Sequence, residues 1–442
     1  MIATIQQKIS KLNKQKGGNA ELIKDSLVAS VIRGIAAISS LALNIVIGRY
    51  LGAEESGYFF LTLTIITVLS SFARLGTDNV TLRFVSVHSN KNEWREVQSV
   101  FKFIFKRVFI VSFLIGLIVA VFSKQIAIGI FNKKEMTNPL IWMGISVPLL
   151  SVAITLAYGL QGLKKVGPSV ALQNISIPVF LITSIIIISP TSSYSLGILY
   201  FAASIFTVLI GFFWWKQNVK VRPLPGYDFS PLIKSGKPLW TIAILQQCIQ
   251  WSGQFISGIY IDSKSLAQLA VAQRTSMLIS FILVAVNLVS APKFASLYHH
   301  NRINELKRYA IDSTRLMTVI ALPIVVVVCA FPSTIMSAFG KDFTDTPGIW
   351  MLCILSLGQF VSVISGSVQY LLMMSGHEKD IRNITIINGI FALLLAITLI
   401  PFFGAIGAAI ATSLAIASQN LMAAGMVKKR LGFNTLAIWR LS

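Results

Sequence analysis

Carboxylates are scarce in this chain. Sixteen Asp and Glu are spread over 442 residues, and all of them fall between the long apolar runs or at their edges, as Asp25 and Asp312 do. Charged residues of both signs make up only 12%, against roughly 25% in a soluble globular chain. The three cysteines, Cys248, Cys329 and Cys353, lie inside apolar runs without metal-ligand spacing and read as small buried hydrophobes. The four histidines, His88, His299, His300 and His377, map to polar loops, and the adjacent pair cannot share one face. No phosphate-binding glycine loop, nucleophile elbow or zinc motif occurs. These shortages argue against an enzyme and give no reason to expect a metal or cofactor. Residues 1–25 also lack the apolar core and cleavage site of a signal peptide.

What the chain has is apolar length. Hydrophobic residues make up 55% of it, gathered into runs near 26–48, 57–75, 103–123, 140–161, 169–189, 195–215, 237–260, 267–292, 316–333, 349–371, 384–402 and 405–427. A bilayer core takes roughly 20 apolar residues per helical crossing. The runs are continuous rather than alternating, so they read as helices and not as barrel strands. The fold expected is an all-α membrane protein of about twelve spans, with kinks at Pro148, Pro178 and Pro323. The connecting segments are too short to supply helices that would cover this surface in a soluble protein.

Basic residues set the orientation. Counted on alternate sides of the twelve runs, 29 Lys and Arg share the side of the N-terminus and 6 the other, namely Arg49, Lys124, Lys133, Lys134, Lys264 and Lys341. Three more, Arg33, Arg74 and Arg274, lie inside spans. Cytoplasmic loops carry the basic excess, so both termini are expected in the cytoplasm. The net charge of +22 is then mainly a topology signal, and no basic domain exists to present to a nucleic acid. Within 1–25, Ile2, Ile5, Ile9 and Leu12 alternate with Lys8, Lys11 and Lys14, the pattern of a basic amphipathic helix on the membrane surface.

The chain repeats itself. Arg83-Phe84-Val85-Ser86-Val87-His88 recurs as Lys293-Phe294-Ala295-Ser296-Leu297-Tyr298, a shift of 210, and Gly197 and Gly407 differ by the same amount. Gly162 and Asn174 correspond to Gly376 and Asn388. Two six-helix lobes, 26–215 and 237–427, are expected on either side of a cytoplasmic linker, 216–236, with a tail from 428 to 442. Six is even, so both lobes enter the membrane in the same sense, with a site at their interface.

The same segments carry a resemblance. Gly48-Arg49-Tyr50-Leu51-Gly52-Ala53-Glu54-Glu55-Ser56-Gly57-Tyr58 resembles the first-loop signature of polysaccharide flippases. Leu75-Gly76 with Arg83-Phe84, Gly159-Leu160-Gln161-Gly162, Ala291-Pro292-Lys293 and Gly404-Ala405-Ile406-Gly407-Ala408-Ala409 extend the likeness along nearly the whole chain. The chain looks like a member of the multidrug/oligosaccharidyl-lipid/polysaccharide (MOP) exporter superfamily, in its polysaccharide branch. The resemblance implies a V-shaped pair of bundles related by a pseudo-two-fold axis. It also implies a flippase for undecaprenyl-diphosphate-linked oligosaccharides such as O-antigen units, in the bacterial inner membrane, with a polymerase and other glycan-assembly proteins as expected partners. Alternatives are a cation-coupled drug exporter of the same superfamily, disfavoured by the lack of an intramembrane acid, a major-facilitator transporter, whose charged loop signature is absent, and a non-transporting scaffold of glycan assembly.

Polar side chains inside the spans fall in stripes. Ser26, Ser30, Arg33, Ala37, Ser40 and Asn44 line one side of the first span, and Thr64, Thr67, Ser71 and Arg74 one side of the second. Gln247, Gln250 and Gln254 do so in the seventh, and Gln359, Ser362, Gly366 and Gln369 in the tenth. A charge at the bilayer centre costs about 2.5–3.5 kcal/mol on insertion scales. Arg33, Arg74 and Arg274 are therefore candidates to make a wet cleft cationic, and arginine grips phosphate with a bidentate fork. Asn44 and the glutamines Gln247, Gln250, Gln254, Gln359 and Gln369 would meet sugar hydroxyls, or else join helices to one another. Asn174 and Asn388 read as helix-end or packing residues. Reporter fusions at residue 442 and near Ser193 should report opposite sides of the membrane; same-side signals would end the twelve-span scheme.

Overall fold

The computed structural model describes residues 2–233 and 253–436, and among them the chain is helical with no strand. In chain order the helices are α1 (Ile2–Ala73), α2 (Thr77–Asn90), α3 (Trp94–Val121), α4 (Thr137–Ile145), α5 (Val147–Gly162), α6 (Val166–Val170), α7 (Ser176–Ile188) and α8 (Ser193–Asn218). There follow α9 (253–260), α10 (Ser263–His299), α11 (Ile303–Ala330), α12 (Pro332–Ser337), α13 (Thr346–Ser365), α14 (Val368–Met374) and α15 (Glu378–Leu431). Among the described residues eight helices are long and apolar enough to cross a bilayer, and the pair α4 and α5, bent by 43°, makes nine.

Two of the nine are too long for one crossing. The apolar part of α1 is 40 residues and α15 is 54; a straight 40-residue helix would measure roughly 60 Å, twice the hydrocarbon thickness. Each is broken at a glycine, Gly52 (φ 75°, ψ 179°) in α1 and Gly404 (φ 54°, ψ −133°) in α15. The chain turns back at both. The Ser56 hydroxyl donates to the Ile47 carbonyl at 3.4 Å across nine residues, and a side chain at Gly407 would strike the Leu399 carbonyl. With α1 and α15 each counted as a hairpin of two spans, eleven crossings are present. The remaining expected span, 237–260, lies mostly outside the described residues. The basic segment 1–25 was expected as a separate surface helix; α1 instead runs back continuously to Ile2.

Prolines mark two of the three expected bends. Pro148 opens α5 just after the 43° break, and Pro178 follows a π-helical turn, Ala171–Ile175, that interrupts the fifth span. α11 continues as helix through Pro323. The outward faces of the spans are apolar: Leu117, Leu209 and Ile397 are each about half exposed or more, and Ile187 is 81% exposed, as a lipid-facing surface requires.

The duplication shows in the turns. Left-handed or positive-φ residues stand at Asn92 and Asn301, at Asn132 and Gly340, and at Lys164 and Gly376. The segment Phe131-Asn132-Lys133 with Pro139-Leu140-Ile141-Trp142 likewise recurs, in part, as Phe339-Gly340-Lys341 with Pro347-Gly348-Ile349-Trp350. Two bundles follow. Among the described residues their cores join at one end. One cluster mixes both halves, setting Ile47, Phe59 and Met136 with Leu266, Phe339 and Phe343. On the face carrying the basic loops the cores separate: Val85, Val100, Leu160 and Trp215 form one, and Phe294, Leu306, Leu371 and Val427 another. The result is a V whose arms part toward the basic face and meet at the far face.

Gly52 occupies backbone space that L-residues with a side chain scarcely enter, at a cost of about 1–3 kcal/mol. Gly34, with no heavy atom within 4 Å of an added Cβ, is the matched control. Gly52→Ala should lower the thermal midpoint of the purified protein measurably and Gly34→Ala should not; equal midpoints would remove the hairpin argument.

Candidate functional site

Between the arms lies a cavity of about 580 Å³. Both limbs of the α1 hairpin line it, through Ser40 and Asn44 before the turn and Phe60 and Thr67 after it. Leu150 and Ile154 of α5, Gln173 and Asn174 of the π-helical turn, Pro178 of α7 and Tyr200 of α8 complete the N-terminal wall. The C-terminal half contributes Arg274, Met277, Leu278 and Phe281 from one helix, α10. The walls are mainly apolar, and no carboxylate lines them among the described residues.

Among the described residues Arg274 is the charged group of this cavity, and the partners described for it come from the other half. Its guanidinium lies 4.4 Å from the Phe60 ring centroid, and Nη1 donates to Oδ1 of Asn44. The amide is oriented for this, because its Nδ2 donates to the Ser40 carbonyl at 2.6 Å and leaves the oxygen facing the arginine. Asn44 and Phe60 stand eight residues before and after Gly52, so both lie about 12 Å in from the turn, close to mid-membrane. The ring face and the amide oxygen offer negative potential without full charge. Among the described residues no acid neutralises this arginine.

Other polar candidates fall elsewhere. Gln254 links the halves, accepting from Thr64 Oγ1 at 2.6 Å and donating to Gln273 Oε1 at 3.0 Å. Arg74 does not line the cavity: it is buried at the basic end of the hairpin, with Nε 3.0 Å from both oxygens of Asp78 and Nη1 2.8 Å from Ser70 Oγ. Its neutralising acid stands four residues on, beyond the break at Leu75-Gly76, and the left-handed backbone of both residues brings it back. Gln369 donates to Asn420 at 3.4 Å as a tie between helices, and Gln359 is buried away from the cavity lining. Gln247, Gln250 and the Arg33 side chain lie outside the described residues. Asn174, expected to pack, lines the cavity beside Gln173, whereas Asn388 is buried and accepts from Ser418. Phe60 and Gln273 had no polar stripe to announce them, although Gln273 directly precedes Arg274.

Beyond the cavity the far face is sealed by groups from both halves. Arg49 Nε donates to the Ala338 carbonyl at 2.6 Å, at the end of α12. Lys133 Nζ donates to the carbonyls of Gly258 and Ile261, at 3.1 and 2.8 Å, at the end of α9. Burial pulls the Lys133 ammonium below its ordinary pKa, against the attraction of Asp262. Asp342 Oδ2 accepts from the Ala53 N–H at 3.5 Å. Gly57 lies so close to α10 that any side chain there would collide with the Ser263 backbone. Phe339 and Phe343, 2% and 0% exposed, pack under Gly48.

Two helical bundles around a cavity sealed at one membrane face define a protein of the multi-pass transporter fold. A family model described as polysaccharide biosynthesis protein matches residues 46–347, more than half of the chain, and the chain belongs to that family. Over 194 residues it is 24% identical to the probable flippase AglR of Haloferax volcanii, a match that spans 43% of this chain and only 40% of that protein. The structure of the lipid II flippase MurJ in its inward closed conformation gives a TM-score of 0.71 at 16% identity, covering 91% of this chain and 87% of that one. An inward-facing multidrug resistance MATE family transporter of the MOP superfamily gives 0.70 at 14% identity, over 91% and 98%. These likenesses establish the MOP fold.

Hydrogen bonds to a charged group contribute about 1.5–3 kcal/mol each. Arg49→Ala and Lys133→Ala should therefore weaken the seal, most of all together. A cysteine pair at positions 53 and 342, in a background without Cys248, Cys329 and Cys353, should crosslink several-fold more slowly in the double variant. Unchanged crosslinking rates would mean that the apolar contacts alone hold the far face shut.

Proposed function

We propose that the chain is a flippase that moves lipid-linked oligosaccharide across the bacterial cytoplasmic membrane from the inner to the outer leaflet. The carrier proposed is undecaprenyl diphosphate and the cargo a surface-polysaccharide repeat such as an O-antigen unit. The observation that carries this reading is Arg274, a cation with no acid beside it among the described residues, in a cavity open toward the basic face and closed at the far face. Membership of the polysaccharide family supports it, as do the names of two similar proteins, both flippases, one of them for lipid II. On this reading the basic face is cytoplasmic, both termini lie there, and the conformation is inward-facing.

The diphosphate would meet Arg274, with Arg33 as a second proposed contact on the same stripe as Ser40 and Asn44. Gln173, Asn174 and Thr67 are placed to bond sugar hydroxyls. The two lobes rock, so that the cavity opens first to the cytoplasm and then to the outer leaflet. Membrane lipids surround the lobes, and a polymerase or other glycan-assembly protein is a proposed partner. The cation-coupled drug exporter is the weaker alternative, because such proteins attract cations and no carboxylate lines this cavity among the described residues.

The test is rescue of surface glycan in a strain lacking the gene, at matched protein levels in the membrane. Arg274→Lys keeps the charge but not the planar fork and should retain more function than Arg274→Gln. The Gln variant should fall by about tenfold or more, the equivalent of one charge-assisted hydrogen bond. The same order is expected at Arg33. Full rescue by both Gln variants would overturn the cationic-cavity mechanism.

A further inference from the structure

Asn44, Phe60 and Arg274 form a contact between the two halves at mid-membrane, and this contact has a property that the cavity as a whole does not. Arg274 belongs to α10; its two partners belong to the two limbs of the α1 hairpin. When the far face opens, α10 and the hairpin must part, because the seal is built between them at Gly57 and Ser263 and again at Asn44 and Arg274. The same guanidinium that would receive an anion is thus also what holds the closed far face together at this depth.

We infer that Asn44 and Phe60 act as a counter-ligand for Arg274, a clasp that keeps the far face closed while the cavity is empty and that an anion releases by competing for the guanidinium. The proposal rests on the diphosphate reading of the site for the identity of that anion, but not for the clasp itself. A ligand shifts a two-state equilibrium only by its differential affinity for the two states. Here the differential has a structural source. In the far-closed state an anion must displace the Asn44 oxygen and the ring face; in the far-open state both have already withdrawn. Binding is therefore tighter to the open form, by as much as the clasp holds. A carboxylate at position 44 would defeat this, because a full ion pair would compete too strongly with the substrate. An amide is strong enough to hold an empty transporter and weak enough to yield. Its direction is pre-set by the Ser40 carbonyl, so no reorientation is needed when the arginine returns.

The experiment measures spin-label distances between positions 124 and 341, exposed lysines on the far side of each half, in reconstituted full-length protein lacking its native cysteines. The probes are inorganic pyrophosphate and farnesyl diphosphate. Without ligand, Asn44→Ala should raise the long-distance, far-open population by about tenfold relative to the closed one, equivalent to about 1.4 kcal/mol. Asn44→Asp, which keeps the side-chain shape, should remain closed and need a higher diphosphate concentration to open than the parent protein. Phe60→Leu should shift the balance in the same direction as Asn44→Ala, by less. Parental distance distributions in Asn44→Ala and Asn44→Asp, with and without diphosphate, would overturn the clasp. If Asn44→Ala does not fold, the Asp variant alone decides, since parental opening by diphosphate in that variant also overturns it. Release in Asn44→Ala together with no response of any form to diphosphate would keep the clasp and reject the diphosphate substrate.

Discussion

Carbonyl groups at the end of a helix carry partial negative charge and lack an intrahelical partner. At the far face, α9 and α12 of the C-terminal half end against the N-terminal half, and Lys133 and Arg49 supply the missing donors. Everything else about the architecture follows from where that contact lies. Because the apolar core that joins the halves surrounds it, with Phe339 and Phe343 against Gly48, the two bundles are fused at one end. Because their cores are separate at the basic face, the space between them is open there. The few basic residues of the far side are thus not left-over charge. Lys264 pairs with Asp345, and Arg49 and Lys133 span the interface.

The linker obeys the same division. Leu224 exchanges hydrogen bonds with Ser99, at 2.6 Å from its N–H to the hydroxyl, Tyr227 OH lies 2.8 Å from His88 Nε2, and the Phe229 ring stacks on Phe103 at 4.1 Å. His88 is held in turn by Glu93 at 2.5 Å. The connection is therefore part of the N-terminal lobe as far as Leu232, which lies in that lobe's core.

Much of this was legible in the chain because it is written locally. Continuous apolar runs locate the crossings, and the 29-to-6 basic imbalance sorts their connections into two sets; the far set, at Arg49, Lys133 and Lys341, does meet on one face. The hairpins at Gly52 and Gly404 separate runs that helix assignment alone joins. What escaped was written at a distance. Asn44 and Arg274 are 230 residues apart and no periodicity links them. Thr64 and Gln254 are separated by 190. Arg74 escaped for the opposite reason: its acid is only four residues away, but a span boundary between them made Asp78 look like loop. The repeat of Phe131 to Trp142 at Phe339 to Trp350 was present in the sequence too, at a shift of 208 rather than 210, which a search at constant offset passes over.

The arginine described on the C-terminal wall raises a question of magnitude. An ion pair buried in low dielectric is costly to break, because removal of one partner leaves the other charged and unsolvated. A transporter that stored its cavity arginine on a carboxylate would have to overcome that cost in every cycle. A cation over an aromatic face is held by about 0.5–2 kcal/mol, and one neutral acceptor adds the contribution of a single charge-assisted bond. Phe60 and Asn44 therefore offset part of the cost of burying the Arg274 guanidinium at mid-membrane, yet leave it within reach of exchange. For the flippase proposed above, the scarcity of acids within the spans and an arginine without a carboxylate partner among the described residues are two sides of one constraint: the counter-charge would arrive with the cargo and leave with it.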